Sequence, residues 1–143
     1  MRSDTLSPAD VQLTVPARAE NVAVVRQVVA ALADAAGMPY PVREDVRIAV
    51  TEACGNVVRH AYAEGEGPIS VSVRDAGDAL EVEVRDRGRG IPLAAAGEGL
   101  GLSLIAALAD AVEIEPGSGA GSRVAMSFAH GTGTDAPATG PER

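Results

Sequence analysis

The stretch from Ile69 to Arg85 does most to limit what this chain can become. ISVSVR and ALEVEVR each alternate apolar and polar residues, with Asp75-Ala76-Gly77-Asp78 between them. Period-two alternation puts the apolar side chains of a strand on one face. A short interval with Gly and Asp joins two such runs as a hairpin. A sheet with one apolar face needs a covering layer, and upstream there are two helical patterns. VAVVRQVVAALADAA lies in a helix expected over about residues 19–36, apolar on a broad face and stopped by Gly37. After Met38-Pro39-Tyr40-Pro41, a second helix is expected over about residues 41–63. Pro41 suits its first turn, and Glu44 and Asp45 sit near the positive end of the helix dipole.

The other pieces are short. VQLTV alternates as a first strand, ended by Pro16, and the hairpin runs occupy residues 69–74 and 79–85. A glycine-rich turn at 97–101 opens a helix to about residue 109, and strands follow at 111–114 and 123–128 around a turn at 117–121. Few helices with strands that are mostly antiparallel neighbours predict an α+β fold. The expected form is a two-layer sandwich with helices on one face of a mixed, mostly antiparallel sheet. The domain is expected over 11–129, after an N-terminal arm at 1–10. The Gly, Pro, Thr and Ala of 130–143 show no apolar pattern and suit a disordered tail.

Composition then narrows the chemistry. The 143 residues suit one domain, and with only 2% aromatics its core must be Val, Ala, Leu and Ile. A net charge of −8 argues against direct nucleic-acid binding and against anionic membranes. The single cysteine, Cys54, excludes an intrachain disulfide and fits a reducing, cytoplasmic setting. The N-terminus has no apolar signal region, and no run approaches the roughly 20 apolar residues of a membrane helix. All twelve cations are arginine. Without lysine there is no P-loop, no usual protein-kinase strand lysine and no Schiff base.

Three groups of residues bear on chemistry. Glu52, Asn56 and His60 step by i,i+4 along the second helix, with Arg59 beside them, while Ile48, Val50, Ala53, Cys54 and Val57 are expected to pack its other faces. Asn56 offers a hard oxygen suited to Mg²⁺, and Glu52 a carboxylate able to orient or deprotonate a hydroxyl or water. A solvated polar stripe has the same spacing. Asp86 ends an alternating strand before Arg87-Gly88-Arg89-Gly90. A carboxylate there could accept a hydrogen bond from an amino group such as that of adenine, and glycines allow close backbone approach; a plain DxG turn has the same residues. Gly97-Glu98-Gly99-Leu100-Gly101-Leu102 runs into a helix and offers free N–H groups to phosphate, or a flexible capping loop. Arg85, Arg87 and Arg89 either approach phosphates or are solvated, His60 suits a ligand or a structural role, and Cys54 suits a small buried apolar residue.

In this order, Glu52-Ala-Cys-Gly-Asn56-Val-Val-Arg-His60-Ala-Tyr62, Asp86-Arg-Gly88-Arg-Gly90, Gly97-Glu-Gly99-Leu-Gly101-Leu102 and Gly121-Ser122-Arg-Val resemble the GHKL (Bergerat) type of histidine-kinase-like ATPase domain. The chain is most similar to the stand-alone anti-sigma-factor serine/threonine kinases of bacterial partner-switching systems, over about residues 11–128. The resemblance implies a cytoplasmic anti-sigma factor using ATP and Mg²⁺. It would bind a sigma factor, phosphorylate an anti-sigma-factor antagonist on serine and form a homodimer. It implies Glu52 as catalytic base, Asn56 as the Mg²⁺ ligand and Asp86 as the reader of adenine, with Gly88 and Gly90 in its turn. Gly97, Gly99, Gly101 and Leu102 would hold phosphates, and Ser122, where the family usually has Thr, would support the adenine end. The segment 91–96 is shorter than the family's lid, and Glu98 puts a negative charge in the cradle. These departures leave an alternative: a non-catalytic nucleotide-binding module acting through protein–protein contacts. A detached histidine-kinase domain is a third reading, disfavoured by the Glu-Ala-x-x-Asn form of the helix motif.

Overall fold

The computed structural model describes residues 11–62, 67–88, 101–117 and 121–130. The elements run β1 (Val11–Pro16), α1 (Ala19–Ala35), α2 (Tyr40–Asn56), a π-helical turn (Val57–Ala61), β2 (Pro68–Asp75), β3 (Ala79–Asp86), α3 (Leu102–Leu108), β4 (Ala111–Glu115) and β5 (Arg123–Ala129). The strands form one five-stranded sheet in the order β1-β2-β3-β5-β4, and all four described pairings are antiparallel.

The alternation in β2 and β3 becomes the inner face of the sheet. Val71 stands opposite Val84 and Val73 opposite Val82. Val82 in turn faces Met126, and Leu80 faces Phe128 on β5. All of these are at most 2% exposed. Val22, Val25, Val29 and Ala33 of α1 and Val46, Ala49, Val50, Ala53 and Cys54 of α2 cover that face, giving the expected α+β sandwich a core built mostly of aliphatics. The two helices are joined by a tight corner. Gly37 is left-handed (φ 82°), its N–H donates to the Asp34 carbonyl, and the Met38 N–H donates back to the Ala33 carbonyl.

The second helix departs from expectation twice. It stays helical through Ala61, but the α-form ends at Asn56 and a π-turn completes it. Ile48, expected to pack, is 37% exposed. The expected arm at 1–10 and positions 131–143 of the expected tail lie outside the described residues. His130 is tied to the β2–β3 hairpin by its N–H to the Asp78 carbonyl and by Nε2 at 3.2 Å from Asp75 Oδ1.

Candidate functional site

The last two turns of α2 bring Glu52 and Asn56 to the same side of the molecule. Glu52 is half-buried and Asn56 wholly buried, so neither belongs to a freely solvated stripe. Arg59, from the π-turn, reaches back so that its Nη2 donates to Asn56 Oδ1 at 3.0 Å. Gly55 leaves space for this, since a Cβ there would lie 3.0 Å from Arg59 Nη1. The hard oxygen of Asn56 is thus already turned toward a cationic donor.

Gly101 comes to this helix from far along the chain. It caps α3 in the left-handed region (φ 69°), and a Cβ on it would lie 2.3 Å from Glu52 Oε1. Only glycine combines that φ with that approach. Leu102 (4% exposed) and Ile105 (0%) sit in the core, and α3 packs on α2. The Leu102 side chain therefore faces the core, leaving its backbone for any ligand contact.

Asp86 stands at the end of β3 and is only 4% exposed. Its Oδ2 accepts from Ser122 Oγ at 2.5 Å and its Oδ1 from the Gly88 N–H at 3.0 Å. Its own N–H donates to the Ser122 carbonyl at 3.1 Å. A buried carboxylate needs such donors. With one donor seen on each oxygen among the described residues, the carboxylate's lone pairs allow a further donor of the kind the exocyclic amine of adenine offers.

Two glycines bring backbone against this turn. A Cβ on Gly121 (φ 92°) would lie 2.1 Å from the Asp86 carbonyl oxygen. One on Gly88 would lie 2.1 Å from the Ala61 carbonyl oxygen and 2.7 Å from the Tyr62 ring. The close approach at Gly88 is therefore to the end of the helical segment bearing Glu52 and Asn56. Tyr62 and Gly121 both lie in the motifs that carry the resemblance, but the sequence assigns neither of them a role. Glycine in a turn is common, and the partners of the Tyr62 hydroxyl are carbonyl and amide groups invisible to motif spacing.

The remaining side chains sort as follows. Cys54 is buried, and burial pushes its thiol up to about 12, so it packs. Arg85 is exposed and its Nε pairs with Glu83 at 3.1 Å on the outer face of the sheet, away from the Asp86 side chain. Arg87 is exposed and His60 half-buried. Gly90, Gly97, Glu98, Gly99, Arg89 and the segment 91–96 lie outside the described residues. Among the described residues no three His, Cys, Asp or Glu side chains gather as a metal site. Asn56 and the Glu52 carboxylate are oxygen donors of the kind Mg²⁺ takes, and Arg59 would have to share or release Asn56 Oδ1 for the ion to bind there. Among the described residues no helix is long and apolar enough to cross a membrane.

A family model described as "Histidine kinase-like ATPase domain" matches residues 15–128. The chain is 46% identical over 74 residues to the Serine-protein kinase RsbW of Halalkalibacterium halodurans, covering 52% of this chain and 45% of the relative. It is 41% identical over 71 residues to the protein of that name from Bacillus mycoides, covering 50% of this chain and 44% of the relative. The same identity and coverage hold for the Bacillus cereus protein. The matches thus span somewhat less than half the length of these curated relatives.

Proposed function

This chain belongs to the histidine kinase-like ATPase domain family, and from that premise we propose that it is an ATP-dependent protein-serine kinase and anti-sigma factor. The observation that carries the reading is the pairing of two ends of one site. At one end the buried Asp86 carboxylate is held by Ser122 and Gly88. At the other, Glu52 lies against Gly101 with Asn56 one turn away.

In this reading Asp86 accepts from the adenine amine, supported by the Ser122 hydroxyl, and Gly90 is assigned to the same end of the nucleotide site. Gly97, Gly99, Gly101 and Leu102 present backbone N–H groups to the phosphates. Asn56 would hold Mg²⁺, and the ion when bound would supply charge neutralisation at the phosphates. Glu52 orients a serine hydroxyl of the protein substrate and takes its proton as the oxygen bonds to the γ-phosphorus and ADP leaves. The half-buried position of Glu52, with its Oε1 against the Gly101 backbone, supports that role. The relatives named as serine-protein kinases support serine as the acceptor. The partners proposed are a sigma factor, an anti-sigma-factor antagonist carrying the serine, and a second copy of this chain, in the cytoplasm.

Calorimetric titration with ATP and Mg²⁺, followed by a phosphotransfer assay on the cognate antagonist, tests both parts. Asp86→Asn is expected to weaken ATP binding at least tenfold, on the order of 1.4 kcal/mol or more for a charged hydrogen bond. Glu52→Ala is expected to keep binding and to lose phosphoserine. Unchanged ATP affinity in Asp86→Asn sinks the nucleotide reading. ATP binding by the wild type with no phosphoserine removes the kinase and leaves a binding module.

A further inference from the structure

Tyr62 is the residue in which three parts of the molecule meet. It follows the π-turn directly, with extended backbone (φ −121°, ψ 115°). Its hydroxyl donates to the Pro68 carbonyl at 2.7 Å, at the start of β2, and accepts from the Arg87 N–H at 2.9 Å, just past β3. Its ring lies between two glycine backbones. A Cβ on Gly67 would fall 2.1 Å from the ring and one on Gly88 2.7 Å from it. Burial raises the hydroxyl above the usual tyrosine range, which keeps it protonated and able to serve both partners.

The contact with Arg87 completes a set. Three successive N–H groups form the turn that carries the Asp86 carboxylate. The Asp86 N–H donates to the Ser122 carbonyl, the Arg87 N–H to the Tyr62 hydroxyl, and the Gly88 N–H to Asp86 Oδ1. The first is held by the residue just before β5 and the third by the turn itself. The middle one is held from the end of the helical segment that bears Glu52 and Asn56.

We infer that Tyr62 is a positioning residue for the nucleotide: its hydroxyl pins the Asp86–Gly88 turn to the end of the Glu52–Asn56 helix and so sets the separation between the base end and the phosphate end of the site. The inference rests on the nucleotide reading proposed above. A ligand spanning both ends gains affinity from their prior alignment, because no part of its binding energy goes to ordering the turn.

Tyr62→Phe is the direct test, since it keeps the ring between the two glycines and removes only the hydroxyl. The Kd for ATP with Mg²⁺ is expected to rise about fivefold, the scale of one lost net hydrogen bond. The melting temperature of the nucleotide-free variant falls by no more than about 4 °C. Amide hydrogen exchange supplies a readout that general loosening does not imitate. The Arg87 amide is protected in the wild type and loses protection in Tyr62→Phe, while the Val82 and Val84 amides keep theirs. An ATP affinity within about twofold of wild type, below the usual effect of a lost hydrogen bond, overturns the role. So does loss of protection along the whole of β3, or a wild-type Arg87 amide that exchanges as fast as an unprotected one. This last measurement decides the matter even if the variant fails to fold. A wild type that binds no ATP at all fails the proposed function itself, whereas wild-type binding with an unchanged Tyr62→Phe affinity fails only the role of Tyr62.

Discussion

Ser122 contributes one hydroxyl to the site, and that hydroxyl is one of the two donors seen on the Asp86 carboxylate. Ser122→Ala removes it without adding bulk and leaves a buried anion short of a partner. ATP affinity is expected to fall about fivefold to tenfold, with about 1–2 kcal/mol of stability, as for a lost hydrogen bond to a charged group. Ser122→Thr, which keeps the hydroxyl, is expected to hold both near wild type. Calorimetry and urea unfolding measure the two, and a Ser122→Ala protein with wild-type affinity denies Ser122 a part in the base end. Asp86 itself was legible in the sequence, because it ends an alternating strand just before glycines. The importance of Ser122 came through family resemblance alone. Tyr62 and Gly121 belong to the motifs that carry the resemblance, but what each does was not legible, for a different reason. The Tyr62 hydroxyl serves two backbone groups distant in sequence, and Gly121 is required by the nearness of the Asp86 carbonyl. Contacts between backbones brought together by folding leave no periodic trace in either segment.

At the level of elements, the hairpin and first helix were legible because their periods are regular, whereas the end of the second helix was not. An α pattern extrapolated past Asn56 predicts that His60 continues the Glu52–Asn56 stripe. From Val57 the chain winds as a π-turn, so the i,i+4 spacing of an α-helix no longer applies at His60, and such local insertions cluster at functional sites. The turn also delivers Arg59 back onto Asn56 and places Tyr62 at the Asp86–Gly88 turn. The third helix shows the reverse dependence, of a short element on its packing. Seven residues are too few for a helix to persist alone. Buried Leu102 and Ile105 hold α3 on α2, and with it Gly101 against Glu52. Ile105→Ala is expected to cost about 2–4 kcal/mol of stability through the cavity it leaves. It should also weaken ATP binding under conditions where the protein remains folded, because Gly101 loses its seat. Urea unfolding and calorimetry at low temperature separate the two effects. Lowered stability with unchanged ATP affinity shows that the packing of α3 does not place the phosphate end.

Across the whole molecule, helices cover one face of the sheet and the other carries ions. The polar positions of β3, Glu81, Glu83 and Arg85, made that face legible as solvent-facing. The order β3-β5-β4 was not, since AVEIE and RVAMSF carry the same alternation and nothing in either dictates which lies next to β3. That order builds the charge network. Glu83 accepts from Arg123 Nε across the β3–β5 pair and from Arg85 Nε at 3.1 Å, while Arg123 Nη1 lies 3.3 Å from both Glu113 and Glu115 of the edge strand. Burial alone raises the Glu83 carboxyl, but the hydrogen bonds from Arg123 and Arg85 outweigh it and hold the group below its ordinary 4.5. A carboxyl depressed in the folded state takes up its proton first in the unfolded chain. Its contribution is therefore full above the ordinary value and is lost as the pH falls from there through the folded value. Solvent screening at this partly exposed site limits the contribution to under about 1 kcal/mol. Glu83→Gln removes the titration and is expected to lower stability by about that amount near pH 7. It should also make the decline of stability below about pH 5 shallower than in the wild type. Urea midpoints taken from pH 7 down to about pH 3 measure both. Parallel curves for wild type and variant through the acid range would mean that Glu83 is not held in its charged form by the two arginines, and that the network follows the sheet order without stabilising it.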